Sequence, residues 1–154
     1  MQRPIRRSDR ALTLNQASEI LQKGEYGILS TVSPDGRPYG VPISFAFDGN
    51  ALYFHGADEG HKLDNLASNP RVSFCVVGAT EILPDKFATR YESAIVFGVA
   101  RELTGDEKHA GLTELLKKYS ADFIEKGEKY INSDIGKTRV FKIEVESLSG
   151  KARR

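Results

Sequence analysis

The chain has 154 residues, 40% hydrophobic and 28% charged, the balance of a soluble globular protein with one core rather than a disordered or membrane chain. Net charge is +1, from 22 basic and 21 acidic residues, too small an excess for a sequence-independent nucleic-acid binder. No apolar run approaches the roughly 20 residues that span a bilayer. The basic start, Met1 to Arg10, lacks a following apolar stretch and does not read as a secretory signal, so the expected setting is the cytoplasm.

Arg3, Arg6, Arg7 and Arg10 read as a solvated arm, with binding to an anionic cofactor or a partner subunit as the alternative. A helix opens at Thr13, where Thr13-x-x-Gln16 is a capping-box pattern. Ala17, Ile20 and Leu21 form its apolar stripe, and Gly24 is a stop signal.

The period then changes to that of strands. Gly27 to Val32 is the first, and Ser33-Pro34-Asp35-Gly36 is turn chemistry. A second strand is expected from Tyr39 to Phe47, a hairpin at Asp48-Gly49-Asn50, and a third strand from Ala51 to His55. Turns this tight make an antiparallel meander, because parallel strands need long crossovers. Leu63, Leu66 and Ala67 mark a short helix that ends at Asn69-Pro70.

The fourth strand runs from Arg71 to Val77. It carries Cys75, the sole cysteine, so no intrachain disulfide exists. Cys75 alternates with Phe74 and Val76 and reads as a buried, inert thiol; the paired Cys and His spacing of a zinc site is absent. Gly78 to Ala88 shows no period and reads as a loop. The fifth strand spans about Arg90 to Leu103, with a bulge or bend at Gly98. Asp106 to Tyr119 is a helix with Leu112, Leu115 and Leu116 as its stripe, and Phe123, Ile124 and Ile131 suit a second. The sixth strand covers Thr138 to Val145. The expected architecture is mainly β with helices, one domain over residues 1–154, its six antiparallel strands forming a small barrel, since closure removes exposed edges.

Chemistry concentrates between the second strand and the short helix. Gly60-His61-Lys62 lies where a strand gives way to a helix. Free N–H groups and a partial positive charge there favour a phosphate, and Lys62 adds a full charge. By spacing alone Lys62 reads first as an ordinary solvated helix lysine, with the phosphate role as the alternative. His55 ends a strand beside Gly56, which lets a ligand approach the backbone. His109 reads as a surface helix residue. Pro42 cannot donate to a strand ladder, so it belongs at an edge or bulge. Neither a Ser-His-Asp signature nor a GxGxxG or Walker pattern is present.

Pro38-Tyr39-Gly40-Val41-Pro42, then Tyr53-Phe54-His55-Gly56-Ala57-Asp58-Glu59-Gly60-His61-Lys62, carry a specific resemblance. Tyr91-Glu92-Ser93 with Gly98, Gly150-Lys151-Ala152 and the arginine-rich start ending Asp9-Arg10 support it. Over nearly the whole chain the sequence resembles the nitroimidazole-resistance (Nim) branch of the pyridoxamine 5′-phosphate oxidase superfamily. That resemblance implies a Greek-key, FMN-binding split β-barrel and a homodimer with FMN at the subunit interface. It puts the FMN phosphate on His61 and Lys62. It puts Val41, Pro42 and Ile43, through their main chain, with His55, Gly56, Ala57 and Ser93, around the rest of the flavin. Ser44 falls where pyridoxamine phosphate oxidases carry a basic phosphate ligand, a departure that leaves a plain strand serine as the other reading. His55 is the candidate catalytic residue, placed to touch a small-molecule substrate or pass a proton; a structural histidine is the alternative. The implied activity is FMN-dependent reduction, of a nitroaromatic by analogy. The rivals are pyridoxamine 5′-phosphate oxidase activity, a non-enzymatic flavin-binding or sensor protein, and a haem- or F420-binding relative on the same barrel.

Overall fold

The computed structural model describes residues 3–154; Met1, included above in the N-terminal arm, lies outside them. Helix α1 covers Leu14–Lys23. Its capping box forms as read: Thr13 Oγ1 accepts the Gln16 N–H at 3.2 Å, and Gln16 Oε1 accepts the Thr13 N–H at 2.9 Å. The helix ends at Gly24, which has φ −61°, not a left-handed conformation. Glycine is needed there for space, because a Cβ would collide with Val76 Cγ1.

The strands are β1 (Gly27–Val32), β2 (Pro38–Ile43), β3 (Ala46–Phe47), β4 (Ala51–Gly56), β5 (Arg71–Leu83), β6 (Ala88–Glu102) and β7 (Arg139–Arg153). Helices α2 (His61–Ser68), α3 (Gly105–Tyr119) and α4 (Ile124–Asp134) occupy the connections. One antiparallel sheet holds all seven strands in the order β2-β1-β5-β6-β7-β4-β3.

Two expectations change. The strand expected over Tyr39 to Phe47 breaks at Ser44 and Phe45, giving seven strands, not six. The Phe45 N–H and C=O bond to the Tyr119 hydroxyl, at 3.0 and 2.9 Å, instead of to a neighbouring strand. Hydrogen bonding therefore leaves β2 and β3 as the two edges, and the ladder does not close into a barrel. Second, Gly78 to Ala88 is not a loop. β5 and β6 continue through it as a hairpin arm, closed by Pro84–Lys86 and by Phe87 at φ 49°. β7 also runs eight residues past Val145, pairing with β6 as far as Arg153 opposite Tyr91. The irregularity at Gly98 is present as a register shift after Phe97.

The main core lies on one face of the sheet. Leu29, Phe54, Phe74 and Ile143 are fully buried there, joined by Ile20 and Leu21 of α1 and by Leu63 and Leu66 of α2. Each such side chain contributes about 1.5–3 kcal/mol by leaving water. Phe54 and Phe141 stack across β4 and β7 with ring centroids 5.2 Å apart. On the other face of β4, Ala51 and Tyr53 pack with Leu103 and Val140 under Leu112 of α3. β4 is therefore covered on both sides, and its C-terminal end is where ligand chemistry can emerge. Cys75 is half-buried on the outer face, opposite Phe74, and burial pushes its thiol pKa up.

Candidate functional site

The end of β4 and the start of α2 form the centre of the site. Gly60 precedes α2 with φ 150°, a conformation that side chains resist, and no side chain caps the helix. The Leu63 and Asp64 N–H groups bond back to the Gly60 carbonyl, both at 3.1 Å. The N–H groups of His61 and Lys62 precede that first bonded turn and are the free donors of a helix start. α2 is anchored from beneath by Asn65, whose side-chain amide donates to Thr31 Oγ1 at 2.9 Å in the core.

Lys62 turns back along β4. A methyl group at Gly56 would lie 3.2 Å from both its Cε and Nζ, so the absence of a side chain there gives the ammonium its place. Among the described residues no carboxylate pairs with it. His55 is solvent-exposed at the edge of that place. Partial withdrawal of its ring from water, then the neighbouring Lys62 charge, hold its pKa below the ordinary imidazole range. The shift favours the neutral imidazole, which donates from one nitrogen and accepts at the other.

His61 points elsewhere. Its Nε2 lies 3.1 Å from Ser33 Oγ, and its ring stacks on Tyr39 at 4.1 Å with 15° between planes. Neighbouring helix residues do not face each other, so His61 and Lys62 diverge. A phosphate touching both would lie across the helix end, on the free N–H groups. The groove on the His61 side is bordered by Glu59 and Asp64, which repel an anion.

The other sequence-derived residues fall into three places. Val41 and Ile43 turn their side chains toward the main core, leaving only main chain for a ligand, while Pro42 and Ala57 are exposed. Ser44, at the break between β2 and β3, shares a cavity of about 660 Å³ with His55; α3 and α4 form its far wall. Ser93 is remote: it pairs with Val77 and Lys151 on the outer face, whereas His55 pairs with Val140, near Leu103. Ten residues separate Ser93 from Leu103, about 30 Å at the rise of a strand. One chain therefore brings Ser44, His55, Gly56 and Lys62 together and leaves Ser93 outside.

Ser33 and Tyr119 carry no site signal in the sequence, and Tyr39 and Arg139 stand there without these roles: Ser33 and Tyr39 hold His61, Tyr119 fixes the Ser44–Phe45 break, and Arg139 clamps the β4–α2 loop. The Arg139 guanidinium pairs with both Glu102 oxygens, at 2.7 and 3.0 Å, and donates to the Asp58 carbonyl at 3.2 Å. Each link spans a gap in sequence that no local pattern reveals.

A family model described as pyridoxamine 5′-phosphate oxidase matches residues 14–152. An uncharacterized protein of Rhizobium meliloti (strain 1021) is 26% identical over 152 residues, covering 93% of this chain and 94% of that one. A candidate 5-nitroimidazole antibiotic resistance protein from Bacteroides thetaiotaomicron superposes with a TM-score of 0.76 at 21% identity, over 92% of this chain and 86% of that one. A FAD and heme binding protein from Mycobacterium smegmatis superposes with a TM-score of 0.81 at 20% identity, over 92% and 72%. At these identities the two structures are similar to this chain in fold.

Proposed function

The chain belongs to the pyridoxamine 5′-phosphate oxidase family, and from that premise we propose that it is an FMN-dependent oxidoreductase acting on a small molecule. One observation carries the cofactor reading: the Lys62 ammonium, without a carboxylate partner among the described residues, lies against Gly56 beside the uncapped start of α2. A full charge next to free N–H groups is what a phosphate monoester needs. Bound flavin would supply reversible electron transfer to and from a small organic molecule.

The chain's own groups have these tasks. Lys62 and the first N–H groups of α2 hold the phosphate, with His61 at its flank. The main chain of Val41 to Ile43 would border the ring system. His55, its neutral form favoured, donates to or accepts from the ring edge or the substrate, and Ser44 offers a hydroxyl beside it.

The site is completed by a second copy. Val77, Ile82, Ile95 and Phe97 are exposed on the outer face and arm, and Phe87 at the arm's tip is 97% exposed. Exposed apolar residues gathered on one face and its arm suit an interface, and a symmetric dimer would bury them. Ser93 belongs to this same face and reaches the flavin only from the partner. A nitroaromatic is the substrate class suggested by the Bacteroides relative's name.

The test is equilibrium dialysis of the purified protein against FMN, with absorption spectra and sedimentation. One FMN per chain on a dimer, with affinity falling at least tenfold in Lys62→Ala, supports the reading. Binding unaffected by Lys62→Ala overturns the phosphate assignment. A protein that rejects FMN but shows a Soret band with haem supports the second reading, in which His55, which lines the apolar cavity, would hold the haem iron. The Mycobacterium relative's name gives that reading its footing.

A further inference from the structure

We infer that the cavity between β4, α3 and α4 is the substrate pocket, and that it takes a compact, uncharged aromatic molecule with one polar group directed at Ser44 and His55. This deepens the flavin reading and rests on it for the identity of the electron carrier.

The cavity measures about 660 Å³, within the roughly 300–1,000 Å³ range of small-molecule sites. Its floor is aliphatic, from Leu112, Leu116 and Ile131. Its rim carries aromatic rings held in water: Phe123 is 62% and Tyr130 68% exposed. Two such rings at one opening leave apolar surface that a flat ligand would cover by stacking. The depth is set by Gly127, where a Cβ would collide with Leu116 Cδ1, so α4 approaches α3 closely.

Charge narrows the ligand class. Lys126 and Asp134 line the cavity, one of each sign, giving no net preference for an ion. Arginine is absent from the lining. A phosphorylated substrate would meet only one lysine, opposed by one carboxylate. Ser44 and His55, on the sheet side of the lining, can hydrogen-bond a hydroxyl, carbonyl or nitro oxygen, and the remaining polar side chains there, Ser120 and Thr138, are uncharged. This pattern selects against phosphate esters of the pyridoxamine type and for neutral rings.

The probe is 1-naphthol, titrated into the FMN-loaded protein, with 1-naphthyl phosphate and cyclohexanol as comparisons. Binding is read by equilibrium dialysis with naphthol and its phosphate quantified after separation from FMN, and cyclohexanol, which has no chromophore, is read by its displacement of naphthol. Expected is saturable naphthol binding, weaker by on the order of tenfold in Phe123→Ser/Tyr130→Ser. Melting temperature and FMN affinity of that variant should match the parent, because both rings lie outside the core. Cyclohexanol and the phosphate ester should bind more weakly than naphthol. Naphthol binding unchanged in the double variant, or tighter binding of the phosphate ester, overturns the pocket. Repeating the titration without FMN separates the two readings. A chain that binds naphthol through these rings but takes no FMN loses only the flavin assignment. A chain that takes FMN through Lys62 but fails the ring test loses only the pocket.

Discussion

The Tyr119 hydroxyl accepts the Phe45 N–H at 3.0 Å, and its own proton lies between the carbonyls of Glu25, at 2.5 Å, and Phe45, at 2.9 Å. The last residue of α3 thus stands in for a strand neighbour at the point where the sheet splits. It also fixes Ser44, the residue before Phe45, at the mouth of the cavity.

Tyr119→Phe should leave the Phe45 N–H without a partner beside a fully buried side chain. An unsatisfied buried donor costs about 1–3 kcal/mol, which lowers the melting temperature by several degrees in a domain of this size. A thermal melt checks it. A variant as stable as the parent would mean that water reaches the break and the hydroxyl is dispensable.

The sequence disclosed what local chemistry encodes. Thr13 and Gln16 cap each other three residues apart, so α1 could be read in place. The break at Ser44–Phe45 could not, because Ile43-Ser44-Phe45-Ala46-Phe47 alternates like one continuous strand and the group that interrupts it lies 74 positions away. The β5–β6 arm was hidden for another reason. Ala79, Thr80, Glu81 and Ile82 are all exposed, so neither face of the arm carries a buried stripe and no period of two appears. At the site, Gly60-His61-Lys62 marked the helix start. The divergence of His61 toward Ser33 and Tyr39 follows from how the β1–β2 turn meets α2, which only packing decides.

Thr31 and Asn65 should behave as one unit. Both are 1% exposed and bonded to each other at 2.9 Å. Asn65→Ala strands the Thr31 hydroxyl, and Thr31→Val strands the Asn65 amide, each costing about 1–3 kcal/mol. The double variant Thr31→Val/Asn65→Ala should cost less than the sum, because no polar side chain of the pair remains unpaired. Urea denaturation of the four proteins gives the coupling energy. Additive costs would show that the pair does not bind α2 to β1.

His55 should titrate below 6.5, its ordinary value. Burial is the larger cause and the Lys62 charge the second, so Lys62→Gln should raise the midpoint without restoring it fully. Between the folded midpoint and 6.5 the unfolded chain binds more protons. Stability should therefore rise with pH through that window and level off above it. The three histidines allow the ring protons to be followed individually by NMR. A midpoint that stays put in Lys62→Gln would separate the ammonium from His55 and weaken the shared site.

Lys118 presents the opposite problem, a charge with nothing to satisfy it. Its Nζ is buried without a hydrogen-bond partner among the described residues and lies 3.7 Å from the Phe45 ring centroid and 5.2 Å from that of Tyr119. Burial pushes its pKa down to about 8 from 10.5. Attraction to the ring faces offsets part of the desolvation, but a lost water shell with no acceptor in return outweighs it. Between pH 8 and 10.5 the unfolded chain binds more protons at this group than the folded one, so stability rises across that window and the full penalty applies below it. Lys118→Met keeps the length of the side chain and sets a thioether over the ring. The variant should melt a few degrees above the parent at pH 7, with the gap closing as pH approaches 10.5. Lys117→Met, which removes an exposed partner of Glu114, should show no such closing gap. A parent that is the more stable at pH 7 would mean that the ring contact outweighs the lost hydration, and that Lys118 holds α3 against Phe45 instead of straining it.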